Sequence, residues 1–225
     1  MNDPGETRAE AGAEPRWPPI AAVVLLIVLN LVVSITLGAH RGKDPRWLIP
    51  GLEGLLLLAL LLRSNTTPLR SARLRRVSIV LVGLLVAAAL WGTAVLIFAM
   101  IRGGKETQSA GILLAYGAFV WIGNNIAFSL MYWEFDGGGP MARALEARRF
   151  PDFAFPQQQS PELAPPGWRP LFWDYLYLGF NNSVAFSPTD AMPLARWAKL
   201  AMGVQAIVSL AILGLVIARA VNVFK

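Results

Sequence analysis

Residues 77–101 read VSIVLVGLLVAAALWGTAVLIFAMI, with no charged side chain from Val77 to Ile101. At 1.5 Å per residue such a helix is about 38 Å long, more than the roughly 30 Å hydrocarbon core of a bilayer. A lipid core offers no water to backbone N–H and C=O groups, so the stretch must satisfy them internally, as a helix. Working outward, further apolar runs occupy residues 20–38, 47–62, 110–133 and 194–223. The expected fold is an all-α membrane protein with about five spanning helices.

Composition agrees with that reading. The 225 residues are 55% hydrophobic and 15% charged, against roughly 45–50% apolar and about 25% charged in soluble domains. The net charge of +6 comes from Lys and Arg placed mostly between the apolar runs, which reads as topology signal and lipid contact rather than a nucleic-acid surface. With no cysteine, thiolate catalysis, disulfides and iron–sulfur clusters are excluded. The lone histidine, His40, sits in a short linker, and no helix carries paired carboxylates at a catalytic spacing. The chain is therefore expected not to be an enzyme, and to hold no cofactor or metal.

Four regions follow. Residues 1–19, rich in Gly, Ala, Glu and Pro, form a tail with almost nothing to bury, expected to be disordered. Residues 20–133 carry four spanning helices. Residues 134–170 are a Gly- and Pro-rich connection that opens with Gly137, Gly138, Gly139 and Pro140, with a short helix at 141–149 and Phe150, Phe153, Phe155 and Trp168 as interface anchors. Residues 171–225 hold an apolar, aromatic segment of about 16 residues and the last helix. That segment is short for a span, is interrupted by Asp174, Asn181 and Asn182, and ends at Ser187 and Pro188, so it is expected to enter the membrane and turn back, the alternative being a full crossing.

Polar groups inside apolar runs are functional candidates because burying them is costly unless they are paired. Glu53 is one, open to ion or proton handling and equally to simple snorkelling. Asn124 and Asn125 are expected to hydrogen-bond between helices, with Asn181 or Asn182 as partners. Small residues four apart, Ala88 with Gly92 and Gly214 with Ala218, are expected to let helices approach. Arg70, Arg73 and Arg76 recur every third residue, as voltage-sensor charges do. They precede the apolar run and stand beside Arg75, which assigns the group to topology and anionic-lipid anchoring.

Trp173 to Arg219, an aromatic half-helix, a polar turn and a long apolar helix, resembles the pore helix, filter and inner helix of pore-loop potassium channels. Ser183, Val184, Ala185, Phe186 and Ser187 are similar, residue by residue, to the filter run Thr-Val-Gly-Tyr-Gly. Tyr132 and Trp133, the glycine-rich loop, and Trp173 to Tyr177 resemble an uncharacterised family of bacterial integral membrane proteins of unknown function. The channel resemblance implies a filter at residues 183–187 supported by Asp174, Asn181 and Asn182, in a homo-oligomer, since one hairpin cannot surround a pore. Both filter glycines are replaced, by Ala185 and Ser187, which implies weak selectivity among monovalent cations. The other reading is a non-conducting scaffold or accessory protein that binds lipids or partner membrane proteins.

Charge sets the two orientations against each other. With residues 171–186 re-entrant, 13 of the 20 Lys and Arg fall on the side of the N-terminus and 7 on the other, which places the N-terminus in the cytoplasm. A channel-like hairpin implies the reverse.

Overall fold

The computed structural model describes residues 14–36, 48–62, 68–102, 110–145, 150–185 and 191–223. Along them run α1 (Trp17–Thr36), α2 (Leu48–Leu62), α3 (Pro68–Arg102) and α4 (Ala110–Phe135). A 3-10 turn (Asp136–Gly138), α5 (Pro140–Ala144), β1 (Phe153–Ala154), α6 (Pro156–Gln159) and a second 3-10 turn (Pro161–Leu163) make the connection. Then come α7 (Phe172–Ala185), β2 (Met192–Pro193) and α8 (Arg196–Val223). The chain is a helical membrane protein: Arg73–Arg102, Gly111–Gly138 and Arg196–Arg219 are long and apolar enough to cross a bilayer, and Trp17–Val32 and Ile49–Leu62 are shorter apolar helices.

α4 is the centre of the bundle and packs against α1, α3, α7 and α8. Its residues from Asn124 to Leu130 are all buried, as expected of a helix with protein on every side. One end of the bundle is closed by a cap. β1 pairs antiparallel with β2, Phe153 opposite Pro193 and Ala154 opposite Met192. The Phe153 ring, fully buried, meets Tyr132 edge-on at 5.3 Å and Trp197 at 5.6 Å, and Phe155 meets Tyr175 at 5.3 Å. Phe153 and Phe155 are thus core residues rather than interface anchors, while Phe150 is 74% exposed. The connection is held by this aromatic cluster. Of the helix expected at 141–149, Pro140–Ala144 is helical and 146–149 lie outside the described residues.

The N-terminal tail also differs from expectation. α1 starts at Trp17, three residues early, because Pro18 and Pro19 occupy first-turn positions whose N–H groups need no partner. Both prolines are buried and Trp17 stands edge-on to Trp173 at 5.5 Å. Glu14 is docked on the cap, so the tail from residue 14 onward does have something to bury against.

Close helix approach uses other glycines than those expected. A Cβ on Gly92 or Gly214 would meet nothing within 4 Å, whereas one on Gly179 of α7 would lie 2.3 Å from Ser129 Oγ of α4, and one on Gly117 would lie 2.7 Å from Val216 of α8. Helices apolar all round carry no periodic mark of which small residue faces a neighbour.

Candidate functional site

The site is built where α7 leaves the cap. Asp136 is fully buried. Its Oδ1 accepts the backbone N–H groups of Asp152 (2.8 Å) and Phe153 (3.2 Å), and its Oδ2 accepts the Tyr175 hydroxyl at 2.5 Å. Arg143 closes the other side: Nη1 donates to the carbonyls of Trp133 and Asp136, both at 2.7 Å, and the guanidinium lies 4.9 Å over the Tyr175 ring. This fold-back needs the three glycines. Gly137, Gly138 and Gly139 have φ of 58°, 86° and 92°, a region that side chains disfavour. A Cβ on Gly139 would also sit 3.0 Å from Arg75 Nε of α3. Asp152 ties the return of the chain to the same point, accepting Gly137 N–H and Trp197 Nε1 with its carboxylate and Leu194 N–H with its carbonyl.

Two carboxylates serve the first turn of α7, where backbone N–H groups lack helical partners and the macrodipole is positive. Asp174 Oδ2 accepts Leu171 N–H at 2.7 Å. Glu14 Oε1 accepts Phe172 N–H at 2.6 Å, both its oxygens accept Trp133 Nε1, and Oε2 lies 3.9 Å from Arg143. Burial pushes the Glu14 carboxyl above the usual glutamate range, against the opposing pull of the Trp133 bond and the Arg143 charge.

Below the cap, α7 runs inward beside α4 and α8. Phe180 meets Trp121 at 6.0 Å, and Trp121 lies about four turns before the end of α4. Between the cap and that level a polar knot joins three helices. Gln205 of α8, fully buried, accepts the Tyr132 hydroxyl (2.7 Å) and Asn182 Nδ2 (2.8 Å) with Oε1, and donates from Nε2 to the Gly179 carbonyl (3.0 Å) and Ser183 Oγ (2.9 Å). Asn182 Nδ2 also donates to the Met202 carbonyl, and Ser183 Oγ to that of Gly179.

The chain matches no protein-family model, no curated protein and no solved structure. Its site therefore rests on its own geometry.

That geometry gathers some expected residues and scatters others. Asp174, Asn182 and Ser183 fall within it, and Asn181 borders a cavity of about 230 Å³ with Asp174, Tyr177 and Ala191. Ser183, Val184 and Ala185 are the last residues of a helix rather than a turn, while Phe186 and Ser187 lie outside the described residues. Asn124 does hydrogen-bond across helices, though to α3 rather than to Asn181 or Asn182 of α7. Asn124 Nδ2 donates to Thr93 Oγ1 of α3 at 2.8 Å, and Asn125 lies against Ser129 on its own helix, because α7 brings Gly179, not Asn181, to that level. Glu53 is buried far from the cap, against Asn30 of α1. Arg73 and Arg76 are exposed, Arg75 packs at the glycine turn, and the side chain of Arg70 lies outside the described residues.

Sequence reasoning missed Gln205, Asp136, Arg143, Asp152 and Glu14. Gln205 carried a usable signal, since it is the only amide between Arg196 and Val221 in an otherwise apolar helix.

Proposed function

We propose that the protein is a five-span, oligomeric, pore-loop-like ion channel of weak selectivity among monovalent cations, in which α7 and the chain after it form a re-entrant hairpin. The observation that carries this reading is the parallel course of α7 and α8. Both start at the cap, Phe172 beside Glu14 and Trp197 beside Asp152, and both run inward, meeting at Asn182 and Gln205. A helix of 14 residues is about 21 Å long, short of the roughly 30 Å core. β2 is back at the cap on β1, which supports a chain that enters and leaves by the same face. The shorter apolar helices α1 and α2 supply the other two spans of this reading. α2, at 15 residues, is hardly longer than α7, so it is the return of β2 to the cap rather than length that supports re-entry of α7. α1 starts at the cap beside α7, and α2 packs against both α1 and α3.

The electrostatics of α7 favour a cation. Its positive N-terminal end is neutralised by Glu14 and Asp174, while its last turn has no basic residue and directs inward the negative dipole end and carbonyls that have no partner within the helix. Such a helix end stabilises a cation at a depth where water cannot. With no protein oxygen cage made by filter glycines, discrimination among monovalent cations stays weak.

One observation favours the second reading, a non-conducting scaffold. Ser183, at the start of the filter-like run, is consumed by hydrogen bonds to Gly179 and Gln205 inside the bundle. Reconstitution separates the two. Purified oligomer in liposomes is expected to pass K⁺, Na⁺ and Rb⁺ at rates within about tenfold of one another, a difference of roughly 1.4 kcal/mol at most. Folded oligomer that passes none of them would establish the scaffold.

A further inference from the structure

The α1–α2 pair holds a polar contact that the hairpin does not use. Glu53, on the second turn of α2, is 1% exposed. Its Oε1 accepts a 2.6 Å hydrogen bond from Asn30 Nδ2 of α1, an amide that also donates to the Leu26 carbonyl at 3.2 Å. Its Oε2 is buried with no hydrogen-bond partner among the described residues. Asn30 stands about 20 Å along α1 from the cap, so the pair lies well away from the Asp136 and Gln205 clusters.

Among the described residues, the charged groups on the elements packed against α2 do not reach Glu53. α1 is preceded by Arg16 at the cap end. α3 carries Arg73, Arg75 and Arg76 near its start, Arg75 turned to Gly139, and Arg102 at its far end, stacked on the Phe98 ring at 4.0 Å. Among the described residues none of these forms an ion pair with Glu53. A lone carboxylate in such a place is far costlier than a neutral acid, and one amide bond does not compensate it. A neutral carboxyl fits this place better: Oε1 is the carbonyl that accepts from Asn30, Oε2 carries the proton, and no net charge is buried.

We propose that Glu53, positioned by Asn30, is a proton-binding site within the helix bundle, independent of the re-entrant hairpin. Its ligand is the proton itself, exchanged without any other co-reactant.

The test uses the intact protein in proteoliposomes and two carbodiimides, followed by peptide mass spectrometry. Dicyclohexylcarbodiimide, which is apolar, is attacked by a protonated carboxyl, the proton passing to a carbodiimide nitrogen and the oxygen bonding to its central carbon, to give an O-acylisourea whose acyl group then migrates to nitrogen as a stable N-acylurea. Modification of Glu53 by this reagent is expected, well above that by a water-soluble carbodiimide, and falling about tenfold per pH unit once the pH passes the midpoint of deprotonation. Asn30→Leu should move that midpoint, a shift that a merely structural contact would not produce. Glu53→Gln, which keeps shape and neutrality, should melt within a few degrees of the parent. Equal modification by the water-soluble reagent would overturn the proposal by placing Glu53 in contact with water. Absence of modification at every pH in verified folded protein, or strong destabilisation by Glu53→Gln, would overturn it too. Either result would mean a permanently ionised partner of a base such as Arg46, which lies outside the described residues.

Discussion

Asp136→Ala is expected to lower the melting temperature of the detergent-solubilised protein by about 10 °C, the largest single effect in the molecule. The substitution strands two backbone N–H groups and the Tyr175 hydroxyl, and it removes the carboxyl charge that faces the Arg143 guanidinium, whose own bond to the Asp136 carbonyl is kept. Removing one partner from a buried charged cluster costs about 3–5 kcal/mol, and each kcal/mol shifts the midpoint by roughly 2–4 °C in a chain of this size. Asp136→Asn separates charge from hydrogen bonding. Its carbonyl can still accept both backbone amides and its NH₂ can donate to Tyr175, so the loss should be about half as large. Equal melting of the Ala variant and the parent, followed by tryptophan fluorescence, would show that the cap does not depend on Asp136.

Gln205→Leu is expected to cost about 2–3 kcal/mol and to loosen α7 from α8. The side chain makes four hydrogen bonds, to Tyr132, Asn182, Gly179 and Ser183. Hydrogen bonds between membrane helices average about 0.6 kcal/mol, with a maximum near 1.7. Four of them, with the Tyr132 hydroxyl left facing an apolar side chain, give the expected sum. Asn182→Leu removes two bonds and should cost roughly half as much. Amide hydrogen exchange along α7 reads the effect locally: protection of residues 179–183 should fall in Gln205→Leu while protection of α3 is kept. Unchanged protection of α7 would mean that the apolar contacts alone hold it.

The helical membrane architecture was legible because lipid leaves the backbone one solution, and runs such as residues 77–101 declare it by length alone. The packing was not. A helix buried in protein and one facing lipid are equally apolar, so Gly92 and Gly214 looked as good for close approach as Gly117 and Gly179, and only the structure distinguishes them. The short helix α7 was recognisable as a separate apolar stretch from its length and its polar residues, yet its hydrogen-bond partners were not. Asn182 pairs with Gln205, 23 positions away, and nothing local to either residue sets that register. Asp136 was hidden for a different reason. It follows the apolar run of α4 and enters a glycine turn, where an acidic residue reads as solvent-facing, and its burial depends on Phe153 and Tyr175 arriving from later segments. Glu14 shows the same effect from the other direction, a residue of a polar tail fixed by the first turn of α7.

The sidedness of the cap tests the re-entrant hairpin most directly. The chain has no cysteine, so single cysteines at Gln159 and Leu194, both exposed, are unambiguous reporters when the protein is oriented in sealed vesicles and treated with an impermeant maleimide. Because both positions belong to the cap, they are expected to be labelled from the same side, with a cysteine at Thr107 labelled from the opposite side. Labelling of Gln159 and Leu194 from opposite sides would mean that the segment between them crosses the membrane, and the pore-loop account would fail with it.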